Sequence, residues 1–176
     1  MENIEKFKEI VKTQIPKSES IMFDFLITFA RFECALKNIP EFLKIRKDRK
    51  GREYPEADWD EFSKSISDNF EQNTSKDIRL AVNFILKSPP KKQVVKDGIL
   101  DWKDSLLDKN ASITKKLSIY ICRVRNNMFH GGKFNSIPNE GDRNCKLIYH
   151  SMKILNYWLE LNEEVKENFL SDINPQ

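Results

Sequence analysis

A positively charged side chain, two amides and a histidine lie close together near the end of a helical pattern: Arg125, Asn126, Asn127 and His130. Only two histidines occur in the chain, so this placement of one of them is notable. Imidazole titrates near neutral pH, so it can accept a proton from a ribose 2′-hydroxyl and, when protonated, donate one to a leaving 5′-oxygen. Arginine can hold a phosphate through two parallel hydrogen bonds. These residue types therefore suit phosphodiester cleavage in RNA.

The roles follow from the chemistry of each side chain. Arg125 would bind the phosphate and stabilise its developing charge, and His130 would transfer protons. Asn126 would orient these two side chains. Arg123, Asn127 and Lys133 would add contacts to the RNA backbone. No acidic cluster or Cys/His spacing predicts a metal site, so no metal or other cofactor is expected.

Helical geometry limits what one copy of this segment can do. At about 100° per residue, Asn126 and His130 lie about 40° apart, whereas Arg125 and His130 lie about 140° apart. Arg123 and His130 are only about 20° apart, two turns removed. A single helix therefore does not aim Arg125 and His130 at one point, but two copies around a two-fold axis could share a cleft. A structural role also stays open, because a histidine at a helix C-terminus interacts favourably with the helix dipole.

The segment that carries these residues reads as one amphipathic helix over residues 112–128. Its buried face is indicated by apolar residues at a spacing of three or four: Ile113, Leu117, Tyr120, Ile121, Val124 and Met128. Ser112 is a candidate N-cap, and Gly131-Gly132 can end the helix, because glycine accepts the left-handed backbone found there.

The stretch Arg125 to His130 resembles the signature of HEPN domains, in which an arginine precedes a histidine by a few residues and a polar residue such as Asn126 follows the arginine. Residues 29–37 and 55–60 are similar to bacterial members of this group. The resemblance implies a metal-independent endoribonuclease that works as a homodimer and leaves a 2′,3′-cyclic phosphate and a 5′-hydroxyl. It also implies a toxin or antiphage effector, with an antitoxin or other defence protein as a partner. Some members are silenced by adenylylation of a tyrosine two residues after the histidine. Gly132 occupies that position here, so this regulation is not expected.

The rest of the chain predicts an all-α fold of five to six helices in a single domain over residues 1–176. The resemblance implies that this domain is HEPN-like and dimerises through the helix carrying the motif. Helices are expected over residues 3–14, 18–38, 58–70, about 75–87 and 143–161. The second is apolar nearly all round, which places it at the centre of the bundle or between protomers. It also carries an ordinary i, i+4 pair, Glu33 and Lys37, and a polar seam of Asp24, Thr28 and Arg31.

Three segments are expected to lack long regular structure. Residues 44–58 read as a basic loop, with Arg46, Lys47, Arg49 and Lys50 as candidate RNA contacts, although a solvated loop has the same composition. Residues 91–110 read as a packed connector, and residues 162–176 as a polar tail with one short helical turn at most. His150 lies away from the apolar stripe of its helix and is interpreted as a surface or hydrogen-bonded residue.

Composition narrows the class without fixing the function. The 176 residues are 39% hydrophobic and 32% charged with 5 glycines, which is typical of a helical protein. A net charge of +3 predicts no strong overall attraction to nucleic acid. The odd number of cysteines and the lack of a secretory signal or membrane span predict a cytoplasmic protein. Two alternatives to an enzyme remain: a non-catalytic HEPN-fold dimer that binds RNA or protein, and a helical bundle that binds a partner.

Overall fold

The computed structural model describes residues 2–14, 18–105, 107–129 and 140–171. Within these ranges the chain forms eight α-helices and two antiparallel β-hairpins. The helices, in chain order, are α1 (Glu2–Gln14), α2 (Ser18–Lys37), α3 (Trp59–Ser65), α4 (Ser67–Asn73), α5 (Lys76–Lys87), α6 (Ile113–Phe129), α7 (Glu140–Leu161) and α8 (Glu163–Leu170). The strands are β1 (Leu43–Lys47), β2 (Glu53–Ala57), β3 (Lys92–Lys96) and β4 (Ile99–Lys103).

The all-α prediction is wrong, because both hairpins fall in segments interpreted as a loop or a connector. The second hairpin, β3–β4, turns at Asp97 and Gly98, whose φ angles are 52° and 77°. Two consecutive residues in the left-handed region match the tight turn that joins twisted antiparallel strands, and Asp-Gly is a favoured pair there. The segment interpreted as a packed connector therefore contains a hairpin.

The first hairpin, β1–β2, occupies the segment interpreted as a basic loop. Asp48 organises its turn by accepting hydrogen bonds from the backbone N–H groups of Lys50 and Arg52, at 2.8 and 3.0 Å. Gly51 has a φ of 77°, which this turn requires. The basic side chains are therefore attached to a defined ribbon instead of an irregular loop.

Most helix predictions are confirmed, with two corrections. The helix expected over 58–70 is interrupted at Ile66, whose side chain is fully buried, and becomes α3 and α4. The segment expected to be a polar tail contains α8, which starts where the Asn162 side chain accepts a hydrogen bond from the N–H of Val165. Val165 is fully buried, so this helix packs into the core.

The core is formed where α2 packs against α7 and α8, while α5 packs on α7 and α3 on α6. Its centre is a cluster of aromatic side chains: Phe32, Phe42, Trp59, Phe62 and Trp158. Ring centroids in this cluster lie 5.3 to 6.5 Å apart. Such pairs favour offset or edge-to-face arrangements and make the packing specific. The cluster fixes α3 against α2 and thereby positions the N-terminal end of α3 beside α6.

Helix α2 is central to the bundle, but it is not buried on all sides. Phe25, Phe29 and Phe32 face the core, whereas Phe23 and Ile27 are 63% and 52% exposed. In the polar seam, Arg31 donates hydrogen bonds to the backbone carbonyls of α8, including Phe169 at 2.7 Å. This contact stabilises the C-terminal end of α8, where carbonyl groups lack helical partners.

None of the helices in the described part of the chain combines the length and apolar character that crossing a bilayer requires.

Replacing Asp58 should weaken the start of α3. Its Oδ1 atom accepts hydrogen bonds from the backbone N–H groups of Asp60 and Glu61, and it lies 2.6 Å from Nζ of Lys44. We expect Asp58→Ala to lower the free energy of unfolding by about 1 kcal/mol at neutral pH. Asp58→Asn should cost less, because asparagine also caps helices. Urea denaturation followed by circular dichroism measures both, and equal losses would contradict the capping role.

The contribution of Asp58 should also depend on pH. Burial tends to raise the pKa of its carboxyl, but hydrogen bonds from Lys44 and from the backbone of Glu61 and Asp60 outweigh burial and hold the pKa below its ordinary value. Because the folded pKa is the lower one, the stabilisation is present above about pH 4 and is lost as the pH falls through the folded value. The advantage of the wild type over Asp58→Asn should therefore disappear in acid, and an unchanged difference there would exclude the ionic contribution.

Candidate active site

The structure describes only part of the predicted catalytic set. Helix α6 ends at Phe129, and His130 and Lys133 lie outside the described residues. Arg123, Arg125, Asn126 and Asn127 occupy the last two turns of α6. The described part of the site therefore consists of these four residues and the elements around them.

Arg125 is held between α6 and α2. Its Nη2 atom lies 3.0 Å from Oε1 of Glu33, and the central carbon of its guanidinium lies 5.0 Å from the ring centroid of Phe29. The carboxylate fixes one edge of the guanidinium, and the ring contacts its face, an arrangement that suits the planar group. The Arg125 and Glu33 side chains are 30% and 28% exposed. Both side chains are therefore partly accessible to solvent.

Glu33 is the functional candidate that sequence reasoning missed. It was assigned to an ordinary pair with Lys37, but its Oε1 atom accepts hydrogen bonds from Arg125 and, at 3.4 Å, from Nε1 of Trp59. One carboxylate thus connects α2, α3 and α6. The available signal was its position within residues 29–37, a segment for which the sequence predicts a family resemblance.

Arg123 and Asn127 attach the hairpin β3–β4 to α6. Nη1 of Arg123 donates to the carbonyls of Pro90 and Ser105, both at 3.1 Å, and Nδ2 of Asn127 donates to the carbonyl of Lys91 at 2.9 Å. These carbonyls lie just before β3 and just after β4. Burial lowers the pKa of the Arg123 guanidinium below its ordinary value, with a smaller opposing effect of Tyr120. Both side chains therefore have structural partners, and their contacts with RNA remain predictions.

Asn126 is more exposed than the other motif residues on α6, since Arg123 and Arg125 are partly buried and Asn127 is buried. It is exposed and lines a cleft of about 430 Å³ between α6, the N-terminal end of α3 and strand β3. Trp59 and Asp60 contribute from α3, and Lys92 and Gln93 contribute from β3. The motif helix therefore borders an open, mixed polar and apolar cleft on the side where Asn126 lies.

The predicted basic RNA contacts lie on the hairpin β1–β2. Arg46 pairs with Glu56 at 3.0 Å and Lys47 with Glu53 at 3.3 Å, while Arg49 and Lys50 are exposed at the turn. The two carboxylates partly offset the positive charge of the strands, so the turn is the most accessible basic part of this hairpin. Both of its strands contact α2.

Two other titratable side chains, one on α6 and one on α7, are poor candidates for catalytic residues. Burial raises the pKa of the Cys122 thiol to about 12, with a further contribution from Glu33, so this thiol stays protonated at neutral pH. Burial lowers the pKa of His150, whose ring centroid lies 4.7 Å from that of Phe84. His150 therefore lies partly buried against Phe84, whereas the sequence left open a surface or a hydrogen-bonded position.

A search of the chain against protein-family models, curated proteins and solved structures finds no match. Among the described residues, no group of three or more histidine, cysteine, aspartate or glutamate side chains could hold a metal ion.

Removing the anchors of the hairpin β3–β4 should loosen it. We expect Arg123→Met to increase the amide hydrogen exchange of Gln93–Trp102 by about tenfold, because hydrogen bonds from charged donors contribute about 1.5–3 kcal/mol. Arg79→Met, which changes an exposed arginine on α5, is the matched control. Mass spectrometry of exchanged peptides makes the comparison. Hairpin exchange unchanged in Arg123→Met, or increased equally in the control, would contradict this anchoring.

Proposed function

We propose that this protein is a metal-independent endoribonuclease of the HEPN type that acts as a homodimer. The observation that carries the proposal is the state of Arg125: a partly exposed guanidinium, fixed by Glu33 and Phe29, one residue before the exposed Asn126. A pre-oriented and partly accessible cation suits the binding of a scissile phosphate. In the sequence, His130 follows at the spacing of the HEPN signature.

The reaction needs one proton acceptor and one proton donor. The imidazole of His130 takes the proton of the ribose 2′-hydroxyl, and the 2′-oxygen then forms a bond to phosphorus. The bond between phosphorus and the 5′-oxygen breaks, and an imidazolium, which we assign to His130 of the second copy, protonates that oxygen. Arg125 stabilises the charge that builds on the phosphate oxygens. The products are a 2′,3′-cyclic phosphate and a 5′-hydroxyl.

Support for a second copy comes from the exposed side of α2. Phe23 and Ile27 expose more than half of their side chains and lie on the helix that also carries Glu33. Large apolar side chains that share an exposed helix face are typical of surfaces that other chains cover. A dimer that uses this face would involve α2, whereas the sequence predicts dimerisation through the motif helix α6.

A cytoplasmic defence role belongs to the same proposal. The three cysteines, all in the described part of the chain, form no disulfide, which fits a reducing compartment. In that compartment cellular RNA is the available substrate, and an antitoxin or defence-system protein would restrain the enzyme.

One observation favours a second candidate, a non-catalytic dimer of the same fold that binds RNA or protein. Glu33 offsets the charge of Arg125, and structural ion pairs of this kind also occur where no chemistry takes place. This candidate predicts RNA binding without cleavage and no effect of His130→Ala beyond stability.

Cleavage assays distinguish the two candidates. The wild type should cut single-stranded RNA in the presence of EDTA and spare DNA of the same sequence, because DNA lacks the attacking 2′-hydroxyl. We expect Arg125→Ala and His130→Ala each to lower the rate by about 100-fold or more, as for loss of an electrostatic stabiliser or a general acid–base group. Arg79→Ala should leave the rate unchanged.

The products and the state of the variants complete this test. End-group analysis should find cyclic phosphate, and circular dichroism and sedimentation should show that each variant is folded and has the wild-type assembly state. Equal cutting of DNA, loss of activity in EDTA, or full activity of a folded His130→Ala variant would each contradict the mechanism.

Glu33 should act as a positioning residue for Arg125. We expect Glu33→Gln to lower kcat by about tenfold while KM stays equal or falls, because the phosphate loses an oriented guanidinium but gains net positive charge nearby. Glu41→Gln, which removes an exposed carboxylate, is the control for charge. Steady-state kinetics on a fluorescent RNA gives both constants. A rise in KM with unchanged kcat would show that Glu33 serves substrate binding instead.

A further inference from the structure

The cleft beside Asn126 has the dimensions of a small-ligand site. Its volume of about 430 Å³ lies within the range of about 300–1,000 Å³ that is usual for such pockets. It is lined by residues of α6, of strand β3 and of the N-terminal end of α3. The cleft stays open to solvent, so an occupant attached to a longer chain could enter it.

Amide groups stand on two walls of this cleft. Gln93 projects from β3 and Asn126 from α6, and both line the cavity. Each amide can donate and accept hydrogen bonds, which matches the alternating donors and acceptors on the edge of a nucleobase. Trp59, Ile119 and Cys122 supply apolar surface between them, which suits the faces of a planar ring.

Positive charge is concentrated on the β3 side. Lys92 is exposed next to Gln93, and Arg123, whose guanidinium donates to the carbonyls of Pro90 and Ser105 beside this hairpin, also lines the cleft. On the α3 side, the carboxylate of Asp60 lies 3.7 Å from Nζ of Lys115, which offsets its charge. An anionic group is therefore best placed beside β3, while the neutral amides contact the rest of the occupant.

We propose that this cleft binds one unpaired nucleotide of the RNA, with its base between Gln93 and Asn126 and its phosphate near Lys92. A paired base has its edge occupied by its partner, so only a single-stranded or looped nucleotide presents the groups that these amides bind. The inference rests on the proposed ribonuclease function for its substrate. Because Asn126 belongs both to the motif and to the cleft, the bound nucleotide lies next to the bond that is cut.

Mononucleotides test the cleft without any cleavage, since they contain no phosphodiester bond. Titration of the labelled wild-type protein with AMP, GMP, CMP and UMP, followed by NMR, should shift the amide signals of Gln93, Ile119 and Asn126 in a saturable way. Inorganic phosphate is the comparison probe. At least one mononucleotide should bind more tightly than phosphate, and equal affinities would contradict recognition of the base.

Two lysines on one strand provide a matched pair of variants. Lys92 lines the cleft, whereas Lys96 is also exposed but lies at the far end of β3. We expect Lys92→Ala to weaken mononucleotide binding about 3- to 10-fold and Lys96→Ala to change it by less than about twofold. Equal losses of affinity in the two variants would indicate non-specific attraction to the hairpin and would contradict the proposed nucleotide site.

Cleavage patterns separate the roles of charge and amide. Gln93→Ala should change which base is preferred beside the cut, while Lys92→Ala should slow cleavage of all sequences alike.

Failure of the nucleotide site can be told apart from failure of the proposed ribonuclease function. A protein that cuts RNA but binds no mononucleotide, with unchanged preference in Gln93→Ala, would refute the cleft alone. A protein that binds mononucleotides in the cleft but never cuts RNA would refute the proposed ribonuclease activity alone.

Discussion

The ion pair between Glu33 and Arg125 is the contact on which the candidate site depends. Glu33 comes from α2 and Arg125 from α6, and the same carboxylate oxygen also accepts a hydrogen bond from Trp59 at the start of α3. A partly exposed pair of this kind contributes little to the free energy of unfolding, about 0–1 kcal/mol. Its main effect is to orient the Arg125 side chain. It selects one orientation for a long, flexible side chain whose value in catalysis would depend on being held in place.

The last two turns of α6 show how one helix can serve several surfaces at once. Val124 is buried in the core, Arg123 and Asn127 bind the hairpin β3–β4, Arg125 turns towards α2, and Asn126 borders the cleft. Consecutive residues on a helix point about 100° apart, so adjacent side chains necessarily meet different neighbours. The hairpin is attached through the same turns that carry the motif. A shift of the hairpin β3–β4 would therefore change the surroundings of Asn126.

Sequence patterns predicted the helices well, because periodic apolar residues report which face is buried, as in α5 and α6. They did not predict the hairpins, since lysine-rich strands with much exposed surface carry little periodic signal, and only Asp97-Gly98 marked a turn. The ion-pair partner of Arg125 could not be predicted from the sequence either. Glu33 is 92 residues away in the chain, and sequence spacing within one helix favoured Lys37 instead. Contacts between distant segments depend on packing that no local pattern encodes.

Trp59 gives this fold a built-in optical reporter. Its indole stacks on Phe32 at a centroid distance of 5.4 Å, contacts Glu33 through its N–H group and borders the cleft. The emission of an indole responds to nearby charge and solvent, so the fluorescence of this side chain is coupled to both the guanidinium and whatever enters beside β3. Trp158 is fully buried in the same aromatic cluster and supplies a reference that solvent does not reach.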